Sequence, residues 1–208
     1  MIPPFRDFVA VCNDTLPVID PLYEFGSRIP AGQHGIANLR PMFPGRDYVG
    51  CDYIDGEGVD RILDLHALDL PDESVGTALL IAVIEHVEFP REAIRELYRV
   101  LKPGGWFAMA SHMNFQIHAH PYDYWRFTPE GFKSLLSDFQ SVIVEIAGED
   151  PLNPQSVVAV AAKGPMDLST TADALRVWRT RHSTGWRTSV KPFIPPIAWN
   201  VARKLFAR

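Results

Sequence analysis

Residues 18–26 read Val18-Ile19-Asp20-Pro21-Leu22-Tyr23-Glu24-Phe25-Gly26. An apolar segment runs into an acid two residues before a glycine. A buried parallel strand ends this way when it hands over to a ligand loop. In open α/β sheets, ligands bind at the carboxyl ends of such strands, near the switch point of strand order. A second unit follows, Tyr48-Val49-Gly50-Cys51-Asp52, again short, apolar and closed by an acid. An acid at that position hydrogen-bonds the ribose hydroxyls of a nucleoside ligand. Arg61-Ile62-Leu63-Asp64-Leu65 is a third such unit. Residues 75–81 are near-continuously apolar, as expected of a strand covered on both faces.

The pattern extends outward in both directions. Residues 84–86 open a short helix. Residues 90–101 form a clearer one, with Ala93, Leu97, Val100 and Leu101 on one face and Arg91, Glu92, Arg95, Glu96 and Arg99 on the other. Pro90 suits its first turn, and Lys102-Pro103-Gly104-Gly105 is expected to end it. Residues 106–110 read as the fifth strand. A helix over 128–138 has Thr128 as cap and Pro129 at its first position. Residues 142–146 and 157–161 read as the last two strands, antiparallel neighbours. Strands alternating with helices predict an α/β, doubly wound, Rossmann-like sheet, mostly parallel with an antiparallel last strand. Residues 1–17, with Pro3, Pro4 and Pro17, read as a loose lead-in that caps the sheet or closes over the ligand. The glycine- and proline-rich connection over 27–46 leaves room for a short helix near 35–42 only.

The 208 residues predict a domain over 1–165 and a C-terminal basic helical tail over 166–208. Net charge is −5, yet no Asp or Glu follows Asp173, whereas eight arginines and lysines do. Helices are expected over 168–181 and 194–206. The second is amphipathic, with Trp199 beside Ile197, Ala198, Val201 and Leu205. Such a tail docks on the acidic body, across a homodimer, or peripherally on a membrane. An acidic chain without a recognition motif predicts no nucleic-acid partner. Cys12 and Cys51 have no metal or redox spacing, which fits a reducing cytoplasm. No leader and no run of membrane-spanning length is read in the sequence.

A dinucleotide site needs Gly-x-Gly-x-x-Gly so that backbone amides approach a pyrophosphate. Here Gly26 is followed by Ser27, Arg28 and Ile29, and Glu24 repels phosphate. A ligand with ribose, adenine and positive charge but no phosphate resolves both conflicts. S-adenosylmethionine is such a ligand.

Between residues 22 and 136 the sequence resembles the class I S-adenosylmethionine-dependent methyltransferases, in the group called methyltransferase type 11. The resemblance rests on Glu24-Phe25-Gly26-Ser27, Asp52, Asp64-Leu65-His66, Ile84-Glu85-His86-Val87 and Tyr98-Arg99-Val100-Leu101-Lys102-Pro103-Gly104-Gly105. The first motif departs from the family, because its Gly-x-Gly is lost and its linker is long. The resemblance implies cofactor contacts from Glu24, Gly26, Ser27, Asp52, Tyr53, Asp64, Leu65, His66 and His86. Glu24, Asp52 and Asp64 also read as solvated strand ends, and His86 as a helix residue satisfied by backbone.

A second constellation runs from His112 to Thr128, over the same sheet edge. Its His118, Pro121, Asp123 and Arg126 match a pattern recurring in small bacterial methyltransferases of sugars and glycans. The resemblance implies methyl transfer to a hydroxyl of a sugar or oligosaccharide acceptor, or of another small molecule at oxygen or nitrogen. A non-catalytic nucleoside-binding protein of the same fold is the reading from a different class. A sugar hydroxyl is a poor nucleophile, and a positioned histidine base contributes about 10²–10⁴-fold. His118 is the candidate base, Asp123 its orienter, and Arg126 the partner of Asp123. Tyr122, Tyr124 and Trp125 offer faces for a sugar ring; His112 and His120 are extra. A bland reading pairs Asp123 with Arg126 merely to hold the next helix. His118, His120 and Asp123 also have metal-ligand spacing. Magnesium prefers oxygen donors, for which Asp123 with Glu85 or Asp150 is the candidate set. No metal ligand is assigned.

Overall fold

A computed structural model describes residues 2–118 and 122–183. Seven strands form one sheet: β1 (Leu22–Phe25), β2 (Tyr48–Asp52), β3 (Arg61–Ile62), β4 (Val75–Ile81), β5 (Leu101–His112), β6 (Ser141–Ala147) and β7 (Ser156–Ala162). Their order is β3-β2-β1-β4-β5-β7-β6. All pairs are parallel except β5 with β7 and β6 with β7. The doubly wound Rossmann-like sheet with an antiparallel last strand is thus present. The switch point lies between β1 and β4, where the ligand edge was expected.

Strand alternation sorts the core into two apolar layers. Tyr23, Phe25, Ala78 and Leu80 face one layer, completed by α3 (Pro90–Val100) and α4 (Pro129–Leu135). Leu22, Leu79, Trp106 and Ala108 face the other, completed by α1 (Pro3–Thr15) and α5 (Ser169–Arg181). Thr128 caps α4 as expected, its Oγ1 accepting from the Gly131 N–H at 3.0 Å.

Four expectations change. The lead-in over 1–17 is not loose: α1 spans most of it. Pro3 and Pro4 sit in its first turn, where no amide donor is needed, and Phe5, Phe8, Val9 and Cys12 form a fully buried stripe. The third strand shrinks from five residues to the exposed pair Arg61–Ile62, so Asp64 lies in the loop beyond it. The short helix near 35–42 splits into α2 (His34–Ala37) and a 3₁₀ turn Arg40–Met42, with Pro41 as the second residue of the turn. Lys102 to Gly105 does not separate helix from strand. It forms the start of β5, opposite a register shift in β4, with Gly104 in the left-handed region.

Of the segment from 166, α5 packs against α1. Thr171, Leu175 and Trp178 are buried; the Trp178 indole N–H donates to Pro4 O at 2.9 Å, and the Thr15 and Thr171 hydroxyls bond at 3.0 Å. The amphipathic helix expected over 194–206 lies outside the described residues. No described helix is long and apolar enough to cross a membrane.

Trp178→Ala should cost about 3–5 kcal/mol of stability, the scale of deleting a buried aromatic. A chain ending after residue 165 should lose most of its stability. Thermal denaturation of both against the full chain checks this.

Candidate functional site

A cavity of about 850 Å³ opens at the carboxyl ends of β1, β2 and β4. Two backbone features shape its floor. Gly26 leaves β1 with φ +87°, and a Cβ there would stand 2.1 Å from Val83 Cγ2. Ala82 leaves β4 in the left-handed region, φ 56°, with its N–H bonded to Ala110 O at 2.8 Å. A non-glycine residue there is uncommon and marks a turn held by its surroundings. The turn sends the chain into a 3₁₀ segment, Ile84–His86, which buries Glu85 and presents His86 to the cavity.

The expected cofactor residues divide into two sets. Gly26, Asp52, Tyr53, Asp64, Leu65, His66 and His86 line the cavity. Asp52 accepts from the N–H groups of Arg28 (3.3 Å) and Ile54 (3.0 Å), which fix its carboxylate at the strand end. Asp64 accepts from the His66 N–H (2.8 Å) and ring Nδ1 (2.7 Å). Burial raises the Asp64 pKa, but these bonds outweigh it and hold the carboxyl below its usual value. His66 Nε2 accepts from the Phe89 N–H at 3.2 Å, so its proton sits on Nδ1.

Glu24 and Ser27 stand behind that lining. Glu24 shares its sheet face with Leu22, and its carboxylate accepts from the Tyr48 hydroxyl. Burial pushes it up to about 7, against the pull of Tyr48 and Arg40. Ser27 Oγ donates to Gly58 O at 3.0 Å.

The segment after β5 folds over the cavity. The N–H groups of Tyr124 and Trp125 both donate to Glu85 O, at 2.9 and 3.1 Å. The Trp125 indole N–H donates to Val87 O at 3.0 Å. Asp123, with a side chain only 1 % exposed, takes a fork from Arg126 at 2.5 and 2.7 Å and the His118 N–H at 2.8 Å. Arg126 holds its carboxyl well below the usual carboxylate range, and the His118 N–H adds to this against burial. His118 Nδ1 lies 3.2 Å from Asp123 Oδ2. The structure therefore brings His118, Asp123 and Arg126 into contact. Of the oxygens weighed for magnesium, those of Asp123 are engaged by Arg126, and Asp150 accepts from the Leu152 N–H at 2.8 Å. His120 and Pro121 lie outside the described residues.

His112, Phe115, Tyr122 and Tyr124 also line the cavity. His112 stacks on Phe115 at 4.3 Å and meets Phe5 at 4.8 Å; burial pushes its pKa down to about 4. Sequence reasoning missed Phe115 and Arg28; Ile2, from the lead-in expected to close over the ligand, also lines the cavity. The burial of Glu85 was missed as well. Neither Glu85 oxygen, nor the buried Ser111 Oγ, makes a hydrogen bond of normal geometry among the described residues. An Ile-Glu-His sequence reads as a helix start with its acid in water, so no local signal announces that burial.

Residues 47–109 match the family described as "Methyltransferase domain". No curated protein matches the chain. Solved structures share the fold. A Methanosarcina mazei S-adenosylmethionine-dependent methyltransferase superposes with a TM-score of 0.53 at 17% identity, over 75% of this chain and 98% of its own. The Burkholderia thailandensis 1,6-didemethyltoxoflavin-N1-methyltransferase, with its acceptor and S-adenosylhomocysteine bound, gives 0.59 at 16%, over 78% and 79%. The [4+2]-cyclase SpnF gives 0.53 at 14%, over 78% and 81%. At these identities the likeness concerns the fold.

The buried Glu85 makes a pH-dependent test. Burial raises its folded pKa from 4.5 to about 7. Between those values the folded state holds more protons than the unfolded, so this group's contribution to stability falls as pH rises. Glu85→Gln, which mimics the neutral acid, should match wild type near pH 4.5. Above pH 7 it should be more stable, by on the order of 3 kcal/mol. Urea denaturation across this range checks the sign and the window.

Proposed function

We propose that this chain is a class I S-adenosylmethionine-dependent methyltransferase, a reading supported by the match of residues 47–109 to the methyltransferase-domain family, and that it moves a methyl group to a hydroxyl of a sugar or glycan-like acceptor, with His118 as general base. The cavity suits the cofactor's chemistry. Two carboxylates, Asp52 and Asp64, stand at its wall, and the β1 turn has only Gly26 where a phosphate cradle would need more. In this reading Asp52 accepts from the ribose hydroxyls beside Tyr53, Asp64 with Leu65 and His66 holds the adenine end, and Gly26 and His86 flank the remainder. Glu24 and Ser27 brace Tyr48 and the Gly58 carbonyl behind them. When bound, S-adenosylmethionine supplies an electrophilic methyl group on a sulfonium leaving group.

The observation that carries the reading is the His118–Asp123–Arg126 chain at the cavity lip. Both acceptors near His118 Nδ1, Asp123 Oδ2 and Gln116 O, lie at 3.2 Å, so Nδ1 carries the proton and Nε2 the lone pair. Nε2 is then the atom that accepts the acceptor's hydroxyl proton. The resulting imidazolium keeps its Nδ1–H on Asp123. Arg126 prevents Asp123 from taking that proton, which limits its role to orientation. Methyl transfer is an in-line displacement, so holding the acceptor in line is the protein's main contribution. Phe115, Tyr122 and Tyr124 provide ring faces for it. Those faces also suit a flat heteroaromatic acceptor methylated at nitrogen, which is the second reading. The basic run from Arg187 to Arg208 supports a docking role, on the acidic body or a second copy of this chain in a cytoplasmic homodimer.

Asp52→Ala should weaken S-adenosylmethionine and S-adenosylhomocysteine binding by about 1–3 kcal/mol in calorimetry, the scale of a lost charged hydrogen bond. His118→Ala should lower turnover by about 10²–10⁴-fold and leave cofactor affinity nearly unchanged. Asp123→Asn should slow turnover with little change in cofactor affinity. Near-normal turnover of His118→Ala at saturating acceptor would remove the base from this residue. No cofactor binding at millimolar concentration would remove the cofactor residues proposed above.

A further inference from the structure

Beneath the lip of the cavity, three side chains from two segments converge. One carboxylate oxygen of Glu85 and one ring nitrogen each of His86 and His118 all lie within 4.8 Å of one another. The two imidazoles meet edge to face, with ring centroids 4.8 Å apart. Glu85 is fully buried, and neither of its oxygens makes a hydrogen bond of normal geometry among the described residues, although its own N–H and the Ser111 hydroxyl lie near enough to oppose the rise in pKa that burial causes. A buried carboxylate so weakly satisfied is costly, and protonation or a cation compensates it.

The outer contacts favour the cation. His86 Nδ1 lies 2.6 Å from Tyr122 O, and a carbonyl only accepts, so Nδ1 carries the proton and Nε2 the lone pair. His118 has the same tautomer through Asp123. An imidazole whose second nitrogen donates to a carbonyl or a carboxylate is how metal-ligating histidines are normally oriented. Arg126, a fixed cation whose field reaches Glu85, is forked on Asp123, which offsets its repulsion of an ion here.

We propose that Glu85, His86 and His118 bind a divalent first-row transition-metal ion of the zinc or cobalt class. Two imidazoles and one carboxylate suit borderline ions and not magnesium. Ligand atoms around such an ion stand about 3.3 Å apart, so the set closes by side-chain movement on the order of an ångström. Three protein ligands leave a position open. Metal binding and proton acceptance compete for His118 Nε2. Resting on the base assigned above, occupancy of the site therefore inhibits methyl transfer.

The test is titration of the untagged full-length protein with cobalt chloride, followed by visible absorption and calorimetry. One cobalt per chain is expected, displaced by zinc and not by magnesium. Glu85→Gln, which keeps the side-chain shape, should weaken binding on the order of 100-fold or more, beyond what outer-shell changes cost. His118→Ala should do the same. Zinc should inhibit wild type, while Glu85→Gln should keep basal turnover and resist zinc. Absence of stoichiometric cobalt binding below millimolar concentration, or binding by Glu85→Gln as tight as wild type, would overturn the site. Glu85-dependent binding that leaves turnover unchanged would uphold the site and remove the base role of His118.

Discussion

The cavity depends on a close approach between two strand ends. β1 and β4 are paired in parallel, and both must release the chain at the same level of the sheet. Val83 fills the space where a side chain on Gly26 would stand. Gly26 therefore turns in the left-handed region, and Ala82 accepts an unfavourable φ to bring Val83 against it. Strain at Ala82 and bareness at Gly26 are two sides of one contact. The contact keeps the floor of the cavity low at the switch point and leaves room above it.

From that floor the polar architecture rises in layers. Glu85 contributes its carbonyl to hold Tyr124 and Trp125, while its carboxylate stays in the interior. Asp123 and Arg126 then close the overlying segment on itself. Arg126 also donates to Gln116 O at 3.1 Å, so both ends of the segment share one guanidinium. His118 sits between these layers, its Nδ1 beside Asp123 and its ring edge-on to His86. Its position follows from bonds made by its neighbours as much as from its own.

Much of this was legible in the sequence, for identifiable reasons. Residues 75–81 announce a doubly covered strand because every residue is apolar or small, and β4 has those bounds. The acids at 52 and 64 fall on the cavity wall because an acid at a parallel strand end has few other places to go. His118, Asp123 and Arg126, singled out by the family pattern they match, stand in contact because Asp123 accepts from both the His118 N–H and the Arg126 guanidinium. What was illegible has physical causes too. Prolines at positions 3 and 4 disguise a helix start as a loop. Glu24 points away from the cavity because alternation along a four-residue strand puts it beside Leu22, and Tyr48 is the hydroxyl that receives it there. The third strand shortens to an exposed edge pair, and after the Leu63 N–H bonds Asp52 O at 2.9 Å the chain leaves the ladder. Burial of Glu85 depends on the turn at Ala82, and a turn in the left-handed region has no signature when alanine makes it.

The pairing of α1 with α5 has a consequence for how the protein comes into being. α1 precedes every other described element, and its buried stripe is completed by residues near position 178, since the Trp178 indole donates to the carbonyl of Pro4. Throughout synthesis of the intervening sheet, Phe5 and Phe8 lack their final cover on the α5 side. β7 adds to the delay, because it inserts between β5 and β6 only after both have been made. Closing so long a loop costs little more entropy than closing a shorter one, but the contact cannot exist until the later partner has left the ribosome. Ile2 and His112, the latter packed on Phe5, belong to the cavity wall. The pocket is therefore a late product of the nascent chain, because the helix that carries Phe5 and Phe8 waits for its cover while most of the sheet is being made.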